Sequence, residues 1–210
     1  MDKERHAGNL ELVGGHLCLD YANTVSTRAE GLRREYLGSY AELVAWSHHV
    51  EILTVEEAGV LRDSAARRPD RARATLGRAI ALRETLYRVF SAIAQDQEPD
   101  RADLTTLNSV VRESLSRMEI SRVGPGFAWT WVVDEEELDR MLWPIVRSAA
   151  DLLTSRDLGR VRKCARDGCD WLFVDLSKNQ SRRWCSMDMC GSRVKSRRYY
   201  RRRKREKRTI

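Results

Sequence analysis

Cys164-Ala165-Arg166-Asp167-Gly168-Cys169 and, after fifteen intervening residues, Cys185-Ser186-Met187-Asp188-Met189-Cys190 form two C-x4-C pairs. Two short thiol pairs joined by a compact polar loop can converge on one tetrahedral ion. Four soft thiolates leave no open coordination position, so Zn2+ is the expected metal and its role is structural. An iron–sulfur cluster would use the same ligand type, and two disulfides or four separate buried thiols are the other readings. Between the pairs, Trp171-Leu172-Phe173-Val174 supplies a strand and an apolar floor, and residues 175–181 make a polar turn. The order of knuckle, short strands and then a helix is treble-clef-like. Each ligand must lose a proton to bind, so metal and fold are coupled.

The second pair runs straight into a basic segment. From Arg193 to Arg208 there are eleven Lys/Arg and one acid, Glu206. Arg193, Arg197 and Arg201 recur every four residues, with Lys195, Arg198 and Arg202 on an adjacent flank and Arg203 following. Such a helix can lay cations along a duplex backbone. Arg182 and Arg183, just before Cys185, offer a second patch. Double-stranded DNA is the expected partner, and RNA is the alternative because phosphate attraction does not separate the two. Trp171, Trp184 and Phe173 are read as walls around the metal rather than as base-stacking platforms.

Charge is divided unevenly over the 210 residues. Residues 151–210 carry 19 Lys/Arg against 7 Asp/Glu, while the first 150 hold 19 basic and 24 acidic residues. A concentrated positive end on a slightly acidic body suits a polyanionic partner. With 42% hydrophobic residues, the chain can fill a core. No apolar run is long enough for a membrane span, and no signal peptide is evident. A cytoplasmic protein with reduced thiols is expected, nucleoid-associated when on DNA. The fifth cysteine, Cys18, reads as a small buried hydrophobe.

The body reads as mainly α with a small β component, an α+β class. Leu10-Glu11-Leu12-Val13 suggests a short strand, and residues 16–25 are ambiguous between a strand and a buried helix. Ser39–Glu42 and Thr54–Glu57 fit capping boxes opening two helices, the first burying Leu43, Trp46 and Val50 and the second Leu61. A long helix is expected over residues 70–95, its Arg and Glu residues mostly on the wet side. Another follows over 101–115, with Leu104, Leu107, Val111 and Leu115 on one face. Residues 118–123 and 127–133 flank Gly124-Pro125-Gly126 as a hairpin. Asp134 is placed as the cap of a helix reaching Leu153, bent or restarted by Pro144. The expected units are residues 1–155, a finger with its basic helix over 160–203, and a basic tail over 204–210.

On these residues the chain resembles the bacterial CGNR zinc-finger family, transcription regulators with an N-terminal ABATE domain. The resemblance rests on the run from Arg182 to Arg193, preceded by Cys164-x4-Cys169 and followed by Lys195-x-x-Arg198. The family's Cys-Gly-Asn-Arg stands here as Cys190-Gly191-Ser192-Arg193, so the amide at the third position is lost. Its four metal ligands fall on Cys164, Cys169, Cys185 and Cys190. A Gly-x-Leu-Cys-Leu-Asp signature is present as Gly15-His16-Leu17-Cys18-Leu19-Asp20, continuing through Asn23-Thr24.

The resemblance implies a zinc-dependent, sequence-specific DNA-binding regulator of transcription. The body would then sense an unidentified small-molecule effector or mediate assembly, a homodimer being one form. His16, Asp20 and Asn23 beside Gly14-Gly15 are the local effector-binding candidates. No catalytic residues are assigned: no phosphate loop, H-E-x-x-H or G-x-S-x-G motif is present, and His48-His49 are adjacent rather than paired on one helix face. A small-molecule-binding enzyme is the remote alternative.

Overall fold

Residues 16–25 resolve as helix α1 (Leu17–Ala22), which sits deep in the body. The computed structural model describes residues 5–28, 33–134, 137–196 and 199. Cys18, Leu19, Tyr21 and Ala22 on α1 are completely buried. Tyr21 donates its hydroxyl to the Ala79 carbonyl at 2.7 Å, and its ring tilts against Trp46 at 5.1 Å. Cys18 behaves as the apolar residue expected, since burial pushes its thiol up to about 12.

Residues 10–13 do not pair as a strand. Their backbone groups are taken elsewhere: Leu10 O faces His49 Nε2 at 2.8 Å, and Val13 O accepts from Arg182 at 3.1 Å. With those acceptors filled by side chains, no ladder is needed. His48 is also structural, its Nδ1 lying 3.0 Å from Leu53 O.

Helix α2 (Tyr40–His49) starts on Ser39, whose Oγ accepts from Glu42 N at 3.2 Å. Leu43 and Trp46 on it are buried and Val50, at its end, is partly so. Only half of a capping box forms, because the Glu42 carboxylate takes the Ser39 hydroxyl instead of the Ser39 amide. Helix α3 (Val55–Arg67), which buries Leu61, has the complete box, with Thr54 N donating to Glu57 and Glu57 N to Thr54.

Helix α4 (Pro69–Ile93) is the longest element, with Pro69 at its first position. One of its charges defies the wet-side expectation. Arg83 is completely buried and forks onto Glu35 at 2.5 and 2.7 Å, with Glu84 at 2.9 Å. Arg28 meets Glu84 at 2.7 Å and lies 3.4 Å above the Tyr87 ring, tying the loop before α2 to α4.

Helix α5 (Arg101–Leu115) is capped by Asp100 and buries Leu107 and Ser114, leaving Leu115 exposed. Two helical turns separate Leu107 from Ser114, so position 114, not 115, continues the inward stripe.

Strands β1 (Met118–Val123) and β2 (Gly126–Trp131) form the expected hairpin, Val123 facing Gly126 across Gly124-Pro125. Met118, Ile120 and Arg122 oppose Trp131, Trp129 and Phe127 on one face. Trp131 packs on Trp143 at 5.8 Å, while Ile120, Phe127 and Trp129 remain exposed.

Helix α6 (Leu142–Leu153) begins well past Asp134. A start at residue 134 would have placed Pro144 mid-helix, without a donor and against a carbonyl. The later start puts Pro144 in the first turn, where no amide is required.

Strands β3 (Val161–Lys163) and β4 (Leu172–Val174) pair antiparallel and join the body's core through Val161, Leu172 and Val174. Gly14 makes the close approach that permits this. Its carbonyl accepts from Val174 N at 2.8 Å, and a Cβ there would lie 2.8 Å from both Asp20 N and Leu19 Cβ. Gly15 turns the chain at φ +78°. Among the described residues the fold is thus mainly helical with two small antiparallel sheets. No helix among the described residues is long and apolar enough to cross a membrane.

Candidate metal centre and basic surface

The first knuckle follows directly from β3. Cys164 N donates to Trp171 O at 2.9 Å, extending the β3–β4 pairing up to the first ligand. The chain reverses through Gly168 at φ +74°, and Cys169 N closes the turn on Arg166 O. Ala165 N donates to Arg183 O at 2.8 Å, which draws the segment before the second pair alongside the first.

The second pair sits in a tight turn. Ser186 caps it, its Oγ accepting from Met189 N and its carbonyl from both Cys190 N and Gly191 N. Residues Met187–Gly191 then form one π-helical turn, and residues 192–196 continue as helix. At Gly191 a side chain would press on Met187 Sδ and lie 3.2 Å from the Trp184 ring.

All four sulfurs lie within 4.8 Å of one another, and all four cysteines are buried. Cys169 and Cys185 sulfurs are 3.8 Å apart, and those of Cys185 and Cys190 3.4 Å. A tetrahedral zinc with Zn–S of about 2.3 Å needs sulfurs about 3.8 Å apart. The donor set therefore fits zinc, and its closed shell leaves no position for a reacting water. None of these cysteines is in a disulfide. Contact with Cys169, Cys185 and Cys190 holds the Cys164 thiol well below the ordinary range, whereas Cys185 is pushed up by the same crowding. Zinc removes that conflict by taking four thiolates at once.

Charged groups around the centre divide into anchors and free cations. Arg166 donates Nε to Cys190 Sγ at 3.0 Å, a second layer around the metal. Arg182, expected on the phosphate-facing patch, turns inward. It donates to Trp184 O, Val13 O and Cys185 O, and its guanidinium stacks 4.2 Å over Phe173. Arg183 is exposed, 5.8 Å over Trp184. Arg193 and Lys195 are exposed on the helical stretch. Arg197, Arg198, Arg201, Arg202 and Arg203 lie outside the described residues.

Trp171 is buried and donates Nε1 to Val25 O at 2.8 Å, so it packs as a wall, as does Phe173. Trp184 is half-buried against the same cluster. Asp175 shapes the polar loop. Burial opposes its ionisation, yet donations from Ser177 and from the Ser177 and Arg182 amides hold its carboxyl below the usual range.

The body's three polar candidates separate. Asn23 is buried and clamps β4 from both sides: Nδ2 donates to Leu172 O and Oδ1 accepts from Leu172 N, each at 2.8 Å. Asp20 accepts from Gly14 N at 2.7 Å, and burial lifts its carboxyl to about 6. His16 instead borders an open groove with Trp129, Trp131 and Arg147. Asn23 thus secures the chain against β4, Asp20 holds the Gly14 amide, and His16 lines a separate groove.

Several anchoring residues escape sequence reading. Asp170 accepts from Thr27 Oγ1 and Arg28 N, at 2.7 and 2.8 Å, and pairs with Lys163 at 3.1 Å. Its position next to Cys169 was the one visible signal, and nothing in the spacing says which body loop it would meet.

A closed tetracysteine centre on two knuckles, packed against a helical body, defines a zinc-finger protein. Residues 160–203 match the CGNR zinc finger, and residues 15–156 match ABATE, described as "Putative stress-induced transcription regulator". The chain belongs to the ABATE family. Both families are of regulator or zinc-finger type rather than enzyme families. No curated protein matches the chain.

Proposed function

We propose that this chain is a cytoplasmic, zinc-dependent regulator that binds double-stranded DNA sequence-specifically through the segment leaving the metal centre. The observation that carries the reading is the direct run from the last ligand, Cys190, into a helical stretch with exposed Arg193 and Lys195. Zinc, when bound, supplies closed coordination that fixes where this stretch begins. Arg193 and Lys195 then neutralise phosphates, and Arg183 extends the positive face. Arg197, Arg198, Arg201, Arg202 and Arg203 continue the series in sequence, and the tail over 204–210 adds charge. The proposed units are a body to about residue 155 and a finger from about 160.

The body's role in this reading is sensing or assembly. Exposed Ile120, Phe127 and Trp129 on one hairpin face support assembly into a homodimer. Sedimentation of Trp129→Ser beside the parent chain checks it: a dimer of the parent that dissociates in the variant supports assembly there.

The test of function is a competition between duplex DNA and RNA at several salt concentrations, after selection of bound genomic fragments. The expected outcome is a set of enriched DNA sites, with binding that weakens by about 0.9 log unit per log unit of salt for each phosphate neutralised. Arg193→Gln and Lys195→Gln should each lower that slope by about one. Selective RNA recovery with no enriched DNA site would replace this reading by RNA binding.

A further inference from the structure

A cavity of about 330 Å³ opens where the zinc knuckles face the loop before α2. Its walls come from both halves of the chain: Arg5, Thr27 and Tyr36 from the body, and Arg166, Asp167 and Arg193 from the finger. The volume is at the small end of those that enclose organic ligands. Tyr36 is buried, and Trp171 and Met189 complete an apolar wall.

The hydrogen-bonding inventory of this cavity is lopsided. Each guanidinium has five N–H donors and no acceptor. Arg166 uses its Nε on Cys190 and also contacts Cys169, which fixes the guanidinium on the finger wall of the cavity. Arg5 and Arg193 have no side-chain hydrogen bond or ion pair among the described residues. Against these donors the walls offer one carboxylate, Asp167, the hydroxyls of Ser26, Thr27 and Tyr36, and the cysteine sulfurs.

Overall charge restricts the ligand. A zinc tetrathiolate is doubly negative, and with Asp167 it offsets the three guanidiniums. With net charge close to balanced, recognition falls to directed donors: one compact acceptor group can take the unused forks of Arg5 and Arg193 bidentately.

We propose that this cleft is a binding site for a small organic acid, its carboxylate or phosphate head held by Arg5, Arg166 and Arg193 and its apolar body laid against Tyr36. Because the walls belong to both halves, the ligand bridges body and finger, and it engages Arg193 at the root of the basic stretch. The site stands independently of what that stretch binds; only its regulatory meaning rests on the proposed DNA-binding role.

Titration of the zinc-loaded full chain, without nucleic acid, tests the site with benzoate, phenyl phosphate and neutral benzamide as probes. The expected result is saturable one-to-one binding of at least one anion, identifying the head group, and none of benzamide. Arg5→Gln with Arg193→Gln should weaken it at least about tenfold. Arg193→Gln alone changes an exposed residue, so it separates ligand loss from fold loss once zinc stoichiometry is checked. Absence of saturable anion binding, equal binding of benzamide, or undiminished binding in either variant would overturn the proposal.

Discussion

The body and the finger keep their shapes by different means. Helices α1 to α6 enclose a continuous apolar core, whereas the finger's own cluster holds four cysteines with Trp171, Phe173 and Met189. A core of the first kind excludes water by itself. One of the second kind brings four sulfurs together, a donor set that one cation can share. Stability is therefore expected to be metal-free in the body and metal-dependent in the finger, with β3 and β4 as the seam.

Metal removal sets the difference at its widest. Chelation, or Cys185→Ser, should unfold residues 164–190, because zinc binding in such centres is worth on the order of 10 kcal/mol. Hydrogen exchange is expected to rise sharply there while amides of α2 to α5 stay protected. Equal loss of protection throughout would show that the body leans on the metal as well.

Within the body, Arg83→Ala should be the costliest of these side-chain truncations. It leaves Glu35 and Glu84 beside a buried vacancy, a loss of about 3–5 kcal/mol readable by urea denaturation. An effect under about 1 kcal/mol would mean that water replaces the guanidinium.

The seam is sharpened by Asn23→Ala. Removing the amide leaves Leu172 N–H and C=O without their partners, at a cost of about 1–3 kcal/mol. Exchange at β4 should increase before exchange in α4 does.

Acid gives the smallest and most local signal. Burial disfavours the Glu35 carboxylate, but Arg83 and the Leu37 amide outweigh it and lower its pKa to about 2. A depressed carboxylate stabilises the fold above its ordinary value of 4.5, and that contribution fades as pH falls toward 2. Body stability should drop over this window, and Glu35→Gln should flatten the drop. Asp20 has the opposite sign: its pKa of about 6 lies above 3.8, so its contribution is full below 3.8 and declines as pH rises through 6.

Much of this arrangement was legible in order of residues. Capping at Ser39 and Thr54, the Gly124-Pro125 reversal and the paired cysteines each depend on near neighbours, and local chemistry settles them. Leu10–Val13 reads as a strand in sequence but is not one, because the groups that satisfy its backbone, His49 and Arg182, come from distant parts of the chain. Arg182 reads as part of a phosphate-facing patch for the same reason: its charge is visible in sequence, but the carbonyls it turns toward are not.

By itself, then, the sequence determined a mainly helical body, four converging thiolates and a positive end, since spacing and composition suffice for all three. Tertiary structure alone decided that Asn23 and Gly14 bind β4 to the body, that Arg83 lies inside, and that Arg5 meets Arg166 and Arg193 across one cleft. Those contacts join residues far apart in the chain, and only packing determines which distant groups complete one another's hydrogen bonds.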